Sequence, residues 1–93
     1  MDSLTTTIKR EHLREIIAGR KKIEYREVKP YWEKRLSGIS RPFQLRLING
    51  MSANAPEATV RIDRITQRAK RYKLKIGRVM SIKNWDRQRE CPK

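Results

Sequence analysis

From Phe43 to Ile48 apolar and polar side chains alternate without a break, with Phe43, Leu45 and Leu47 on one face and Gln44 and Arg46 on the other. That is the period of a half-buried β-strand. The same period runs through residues 21–27, where Ile23 and Tyr25 are expected inward and Lys22, Glu24 and Arg26 outward. It returns in residues 57–65, with Val60 and Ile62 inward, and after Arg71, where Tyr72, Leu74 and Ile76 alternate with Arg71, Lys73 and Lys75. The phase slips at Asp63-Arg64 before Ile65, which predicts a bulge. Gly77 is placed to kink the last long strand before Val79, Met80 and Ile82 resume burial. Residues 3–8 are short and rich in β-branched side chains and predict a first strand.

Two stretches follow a helical period instead. Leu13, Ile16 and Ile17 fall at i, i+3 and i+4 and predict a short helix over residues 9–18. Thr7 is its N-cap candidate, Glu11 and Glu15 lie along its outer face, and Gly19 stops it. His12 is expected to be solvated on that helix. Residues 30–36 predict a second helix of one or two turns with Pro30 at its first position, where the missing N–H costs nothing. Tyr31 and Trp32 are adjacent and cannot share a face, so one belongs to the core and the other, Tyr31, to a cleft; Tyr25, in phase with Ile23, is expected in the core. Asn49-Gly50 opens a turn and a loop reaching Pro56, the expected lip of a site, with Asn49, Asn54 and Glu57 as its candidate cleft residues. Trp85 closes the packed region, and residues 86–93 read as a polar tail. The order β-α-β-helix-β-β-β in a single domain of residues 1–93, core about 4–85, predicts an α+β fold: a small, nearly closed β-barrel of about five strands with two short helices, closure removing exposed sheet edges.

Charge changes this picture from a fold into a candidate function. Hydrophobic and charged residues each make up 37%, so the core is small, and 24 Lys plus Arg against 10 Asp plus Glu leave a formal charge of +14. Such an excess repels itself and calls for a polyanionic partner. The cations fall mainly in strand-like stretches rather than on one helical face, which favours nucleic acid over a membrane surface; RNA is the first expectation, single-stranded DNA or a nucleotide the alternatives. No apolar run approaches the roughly 20 residues of a membrane-spanning helix, and the N-terminus lacks the apolar core of a signal peptide. With a single cysteine, Cys91, and a single histidine, His12, neither a disulfide framework nor a four-ligand metal site can be assembled. A cytoplasmic monomer without metal or cofactor is expected.

The chemistry concentrates in two segments. Residues 19–32 hold five cations, two carboxylates, two tyrosines and a tryptophan. Arg26 and Lys29 are suited to phosphates and Tyr31 to an unstacked base, a stack worth about 1–3 kcal/mol. Lys21 and Glu24 are the catalytic candidates, an amine nucleophile or base beside a general base; the alternative is an ion pair of Glu24 with its basic neighbours. Residues 61–75 add seven cations, Arg61, Arg64, Arg68, Lys70, Arg71, Lys73 and Lys75, against Asp63 alone. About 6–10 phosphate contacts would lower affinity by some 10³–10⁵ between 50 and 200 mM salt.

These residues also carry a resemblance. Ala18-Gly19-Arg20-Lys21, then Ile23-Glu24-Tyr25-Arg26, Lys29-Pro30-Tyr31-Trp32 and Arg35-Leu36, resemble the ASCH domain of the PUA-like superfamily. Ile48-Asn49-Gly50 with Asn54-Ala55-Pro56, and the ending Tyr72 to Gly77, are similar to its small prokaryotic and phage members, so that the resemblance spans about Leu4 to Trp85. It implies a β-barrel with a helix-lined cleft that binds RNA or acts on nucleotides. Some relatives are amidohydrolases that deacetylate N4-acetylcytidine with a lysine, a threonine and a glutamate, and others are ribonucleases. The family lysine falls on Lys21; the threonine position carries Glu24, and the insertion bearing the glutamate is absent.

Overall fold

A computed structural model describes all 93 residues, Met1–Lys93. The chain runs β1 (Ser3–Thr7), α1 (Arg10–Ile17), β2 (Ile23–Glu27), α2 (Pro30–Leu36), β3 (Phe43–Ile48), β4 (Glu57–Arg68), β5 (Arg71–Lys83), β6 (Trp85–Asp86) and β7 (Cys91–Pro92). The first five strands form one curled mixed sheet, a half-barrel, in the order β1-β3-β4-β5-β2; β1 pairs parallel to β3 and the remaining pairs are antiparallel. The small α+β fold with a barrel-like sheet is thus what the alternation predicts. Closure is incomplete, however: β1 and β2 are the two ends of the sheet and share no backbone ladder.

The inner face is built from the strand positions the period assigns to it. Phe43, Leu45 and Leu47 of β3, Val60 and Ile62 of β4 and Leu74 of β5 are fully buried, and α1 lays Leu13, Ile16 and Ile17 against them. Each such side chain contributes about 1.5–3 kcal/mol on leaving water. Trp32 and Leu36 of α2 complete the layer.

The β4–β5 hairpin is longer than residues 57–65 and 71–76 alone predict, and turns through Ala69 and Lys70, with Ala69 at φ 51°. Its register shifts three times, once beyond Ile62, where Asp63 is the extra residue on β4, and once before it, where Gly77 is the extra residue on β5. The two irregularities are complementary. A Cβ on Gly77 would run into the Asp63 carboxylate, so glycine lets that carboxylate lie across the strand.

Three local expectations need correction. The N-cap of α1 is Lys9, with no side-chain hydrogen bond, rather than Thr7. Glu15 does not simply line the outer face: it accepts hydrogen bonds from Arg20, and that guanidinium holds its carboxyl below the usual range. Residues 86–93 are not a loose tail; β6 and β7 form a two-stranded ribbon tied to the body by Arg20 donating to the Glu90 carboxylate and Arg14 to the Glu90 carbonyl. No helix is long and apolar enough to cross a membrane.

Candidate functional site

The unpaired edges of β1 and β2 leave a seam, and the principal cleft, about 650 Å³, opens along it. Thr7 and Ile8 from the end of β1 form one wall, and Glu24, Tyr25 and Arg26 of β2 the other. Lys9 and His12 reach in from the start of α1, Lys21 from the turn after it, Asn49 from the loop after β3 and Arg71 from the start of β5. Arg26 spans the seam, donating from Nη2 to the Thr7 carbonyl at 3.1 Å.

The turn that delivers Lys21 is local in origin. Gly19 adopts φ 80°, and the amides of Arg20 and Lys21 both donate to the Glu15 carbonyl at 3.0 Å, folding the chain back over α1. Lys21 Nζ thereby reaches Glu24 Oε1 at 2.9 Å and His12 Nδ1 at 3.1 Å. Arg26 Nη2 donates to Glu24 Oε2 at 2.6 Å. A continuous polar chain therefore runs His12–Lys21–Glu24–Arg26–Thr7 along the floor of the seam. The Arg26 guanidinium also lies 5.3 Å from the centre of the Trp32 ring, while its buried Nε has no acceptor.

This arrangement inverts the expected facing of β2. Glu24 pairs with Leu74 and Arg26 with Tyr72, so both point to the inner face, and Glu24 is only 4% exposed. Ile23 and Tyr25 pair with Lys75 and Lys73 on the outer face; Tyr25 is 39% exposed, not in the core, with Arg71 stacked 4.4 Å above its ring centre. The inversion is stable because two cations saturate the Glu24 carboxylate as it leaves water.

Among the other candidates, Asn49 lies in the cleft, its side-chain NH2 donating to the Ile8 carbonyl and its oxygen accepting from Arg10. Asn54 is exposed outside it. Tyr31 is 53% exposed, as the adjacency with buried Trp32 predicts, but it lines a neighbouring groove with Thr5, Thr6 and Thr7, touching the cleft only through Thr7. Lys29 pairs with Glu27 at 2.9 Å, away from the seam. Of the basic run 61–75 only Arg71 reaches the cleft. Lys70 sits in the hairpin turn, and Arg61, Arg64, Arg68 and Lys73 are carried on β4 and β5 outside the seam.

Glu57 is a structural residue rather than a cleft residue. Arg46 donates to both its oxygens, at 2.7 and 2.8 Å, and this fork holds the Glu57 carboxyl below the usual carboxylate range. A folded-state value below the unfolded one stabilises the fold above the unfolded pKa of about 4.3 and loses that contribution as pH falls through the folded value. Glu57→Gln is therefore expected to flatten the acid limb of a thermal-melt pH profile below about pH 4. An unchanged acid limb would show that the pair contributes nothing there.

Thr7, Ile8, Lys9 and His12 are cleft residues that periodicity does not single out. His12 has one legible signal, its place one helical turn ahead of Ile16; its meeting with Lys21 depends on the direction in which the chain leaves Gly19. No trio of His, Cys, Asp or Glu side chains converges, so the site offers four cations and one carboxylate rather than a metal-ligand set. No family model matches the chain, and neither do the curated proteins or the solved structures compared with it.

Proposed function

We propose that this chain is a nucleic-acid-binding domain that takes single-stranded RNA at the seam between β1 and β2, as a small ASCH-type member of the PUA-like superfamily working in the cytoplasm. The observation that carries the proposal is the charge balance of the cleft. Lys9, Lys21, Arg26 and Arg71 face it against Glu24 alone, and Glu24 is already saturated by Lys21 and Arg26. Lys9 and Arg71 have no carboxylate partner and are available to phosphates. A groove with Tyr31 in its wall adjoins the cleft across Thr7 and offers an aromatic surface to a base.

The test is titration of a labelled single-stranded RNA across salt. Two to four phosphate contacts, at about 0.7 each in the log–log slope for single strands, predict a loss of roughly 7- to 50-fold in affinity between 50 and 200 mM salt. A flat response overturns backbone-led binding.

A hydrolytic reading rests on a different observation, the contact of Lys21 Nζ with both Glu24 and His12. It places an amine, a carboxylate and an imidazole at one point, the groups that acid–base or nucleophilic chemistry on a modified nucleoside or on RNA requires. Turnover of N4-acetylcytidine or RNA that disappears in Lys21→Ala is the expected result under this reading, and binding without turnover overturns it.

A further inference from the structure

The outer face of the β4–β5 hairpin carries an arrangement that the cleft does not use. Arg61 stands directly opposite Arg78, Arg64 opposite Lys75 and Arg68 opposite Arg71. Like charges facing each other across a ladder repel and destabilise the pair that bears them, and here three such pairs occur in one hairpin. The carboxylates nearby are already engaged: Asp63 binds Arg61 on this face, Glu27 binds Lys29, and Glu57 binds Arg46. Arg64, Arg68 and Lys73 are left without a counter-charge, and Lys75 shares Asp63 with Arg61 at longer range. Between β2 and the hairpin this face sinks into a depression of about 310 Å³ that Lys22, Arg64, Lys73 and Lys75 line with no carboxylate.

We infer that this face is a second track for the sugar–phosphate backbone of the same RNA strand, which leaves the cleft and crosses the edge of β2 onto the hairpin. Charge complementarity selects the occupant, because the face offers cations in rows and its carboxylates are already paired. Continuity gives the route. Tyr25 and Arg71 line the cleft and also belong to the outer face, Tyr25 in register with Lys73 and Arg71 with Glu27, so a strand emerging from the seam meets the stacked Tyr25–Arg71 pair and then the row beyond it. The track rests on the cleft reading and extends it: short RNA occupies the seam, and only longer RNA reaches the hairpin.

The test compares RNA of about 4 nucleotides with RNA of about 20, lengths at the lower limit of and above the usual single-domain site, on the wild-type chain, the triple variant Arg64→Gln/Lys73→Gln/Lys75→Gln and the cleft variant Lys9→Gln. The triple variant is expected to bind the short RNA as wild type does. With the long RNA, three lost phosphate contacts predict a fall in affinity from 50 to 200 mM salt that is about 20-fold smaller than in wild type. Lys9→Gln is expected to weaken both lengths. Because the triple variant removes facing cations, its Tm should also rise, which separates the binding result from misfolding. Wild-type salt dependence on the long RNA in the triple variant, with the short RNA still bound, overturns the track and leaves the cleft intact. Failure of the wild-type chain to bind the short RNA removes the cleft reading and the track with it. Hairpin-dependent binding to phosphatidylserine vesicles, with RNA affinity unchanged, assigns the face to lipid and likewise overturns the inference.

Discussion

Glu24→Ala is expected to lower the stability of the fold by about 3 kcal/mol, the lower end of the range for stripping one partner from a buried ion pair. The lower end applies because Lys21 and Arg26 keep about a fifth of their side-chain surface in water, 20% and 18%. Removing the carboxylate leaves two cations side by side in the seam with no counter-charge. The same change alters binding in the opposite sense. It frees Lys21 and Arg26 for phosphate, so at low salt RNA affinity should rise while denaturant resistance falls, and the salt dependence should steepen by about 0.7 per freed cation. Denaturant unfolding and RNA titration on the same preparation read both effects. A variant as stable as wild type would show that Glu24 does not hold the seam cations together. Reduced RNA affinity at unchanged stability would instead make Glu24 a direct ligand contact.

Phe43→Ala is expected to cost about 3–5 kcal/mol, the range for emptying a phenylalanine site in a packed core. Phe43 is 0% exposed and pairs with Ile62, beside two of the three register shifts of the hairpin. Against the 5–15 kcal/mol that domains generally hold in reserve, the variant should be partly unfolded near physiological temperature and should lose RNA binding through loss of the fold. Urea unfolding gives the midpoint directly, and a loss below about 1 kcal/mol would mean that the sheet collapses onto the space Phe43 leaves.

The two positions also mark where the sequence is transparent and where it is not. The facing of Phe43, Leu45 and Leu47 follows from alternation because both neighbours of β3 in the sheet bury the same side, so every local preference agrees with the fold. Pro30 at the head of α2, the division of labour between Tyr31 and Trp32, and the bulge at Asp63 were legible for the same reason. On β2 the preferences conflict. Ile23 and Tyr25 are the less polar pair, and a rule that counts hydrophobicity turns them inward; it cannot weigh the mutual neutralisation of Lys21, Glu24 and Arg26, which depends on the Gly19 turn bringing Lys21 alongside. The spacing held a hint, since Glu24 shares a strand face with Arg26 and sits three residues after Lys21. The ribbon of β6 and β7 was hidden because two-residue strands show no period, and its anchor, Arg20 to Glu90, spans most of the chain. Asn54 and Glu57 were misplaced by treating the loop after β3 as a lip. Instead the Asn49 amide donates to the Pro56 carbonyl, which closes the loop on itself, and Glu57 turns to Arg46.

The incomplete closure of the half-barrel has a mechanical consequence. A full barrel could open only by breaking a ladder of backbone hydrogen bonds, whereas here the two edge strands are joined across the gap by the reach of Arg26 to the Thr7 carbonyl. Releasing that one guanidinium breaks no strand pairing of the sheet. The cleft therefore opens at the sheet's one unpaired boundary, whereas both strands of the β4–β5 hairpin are paired on each side.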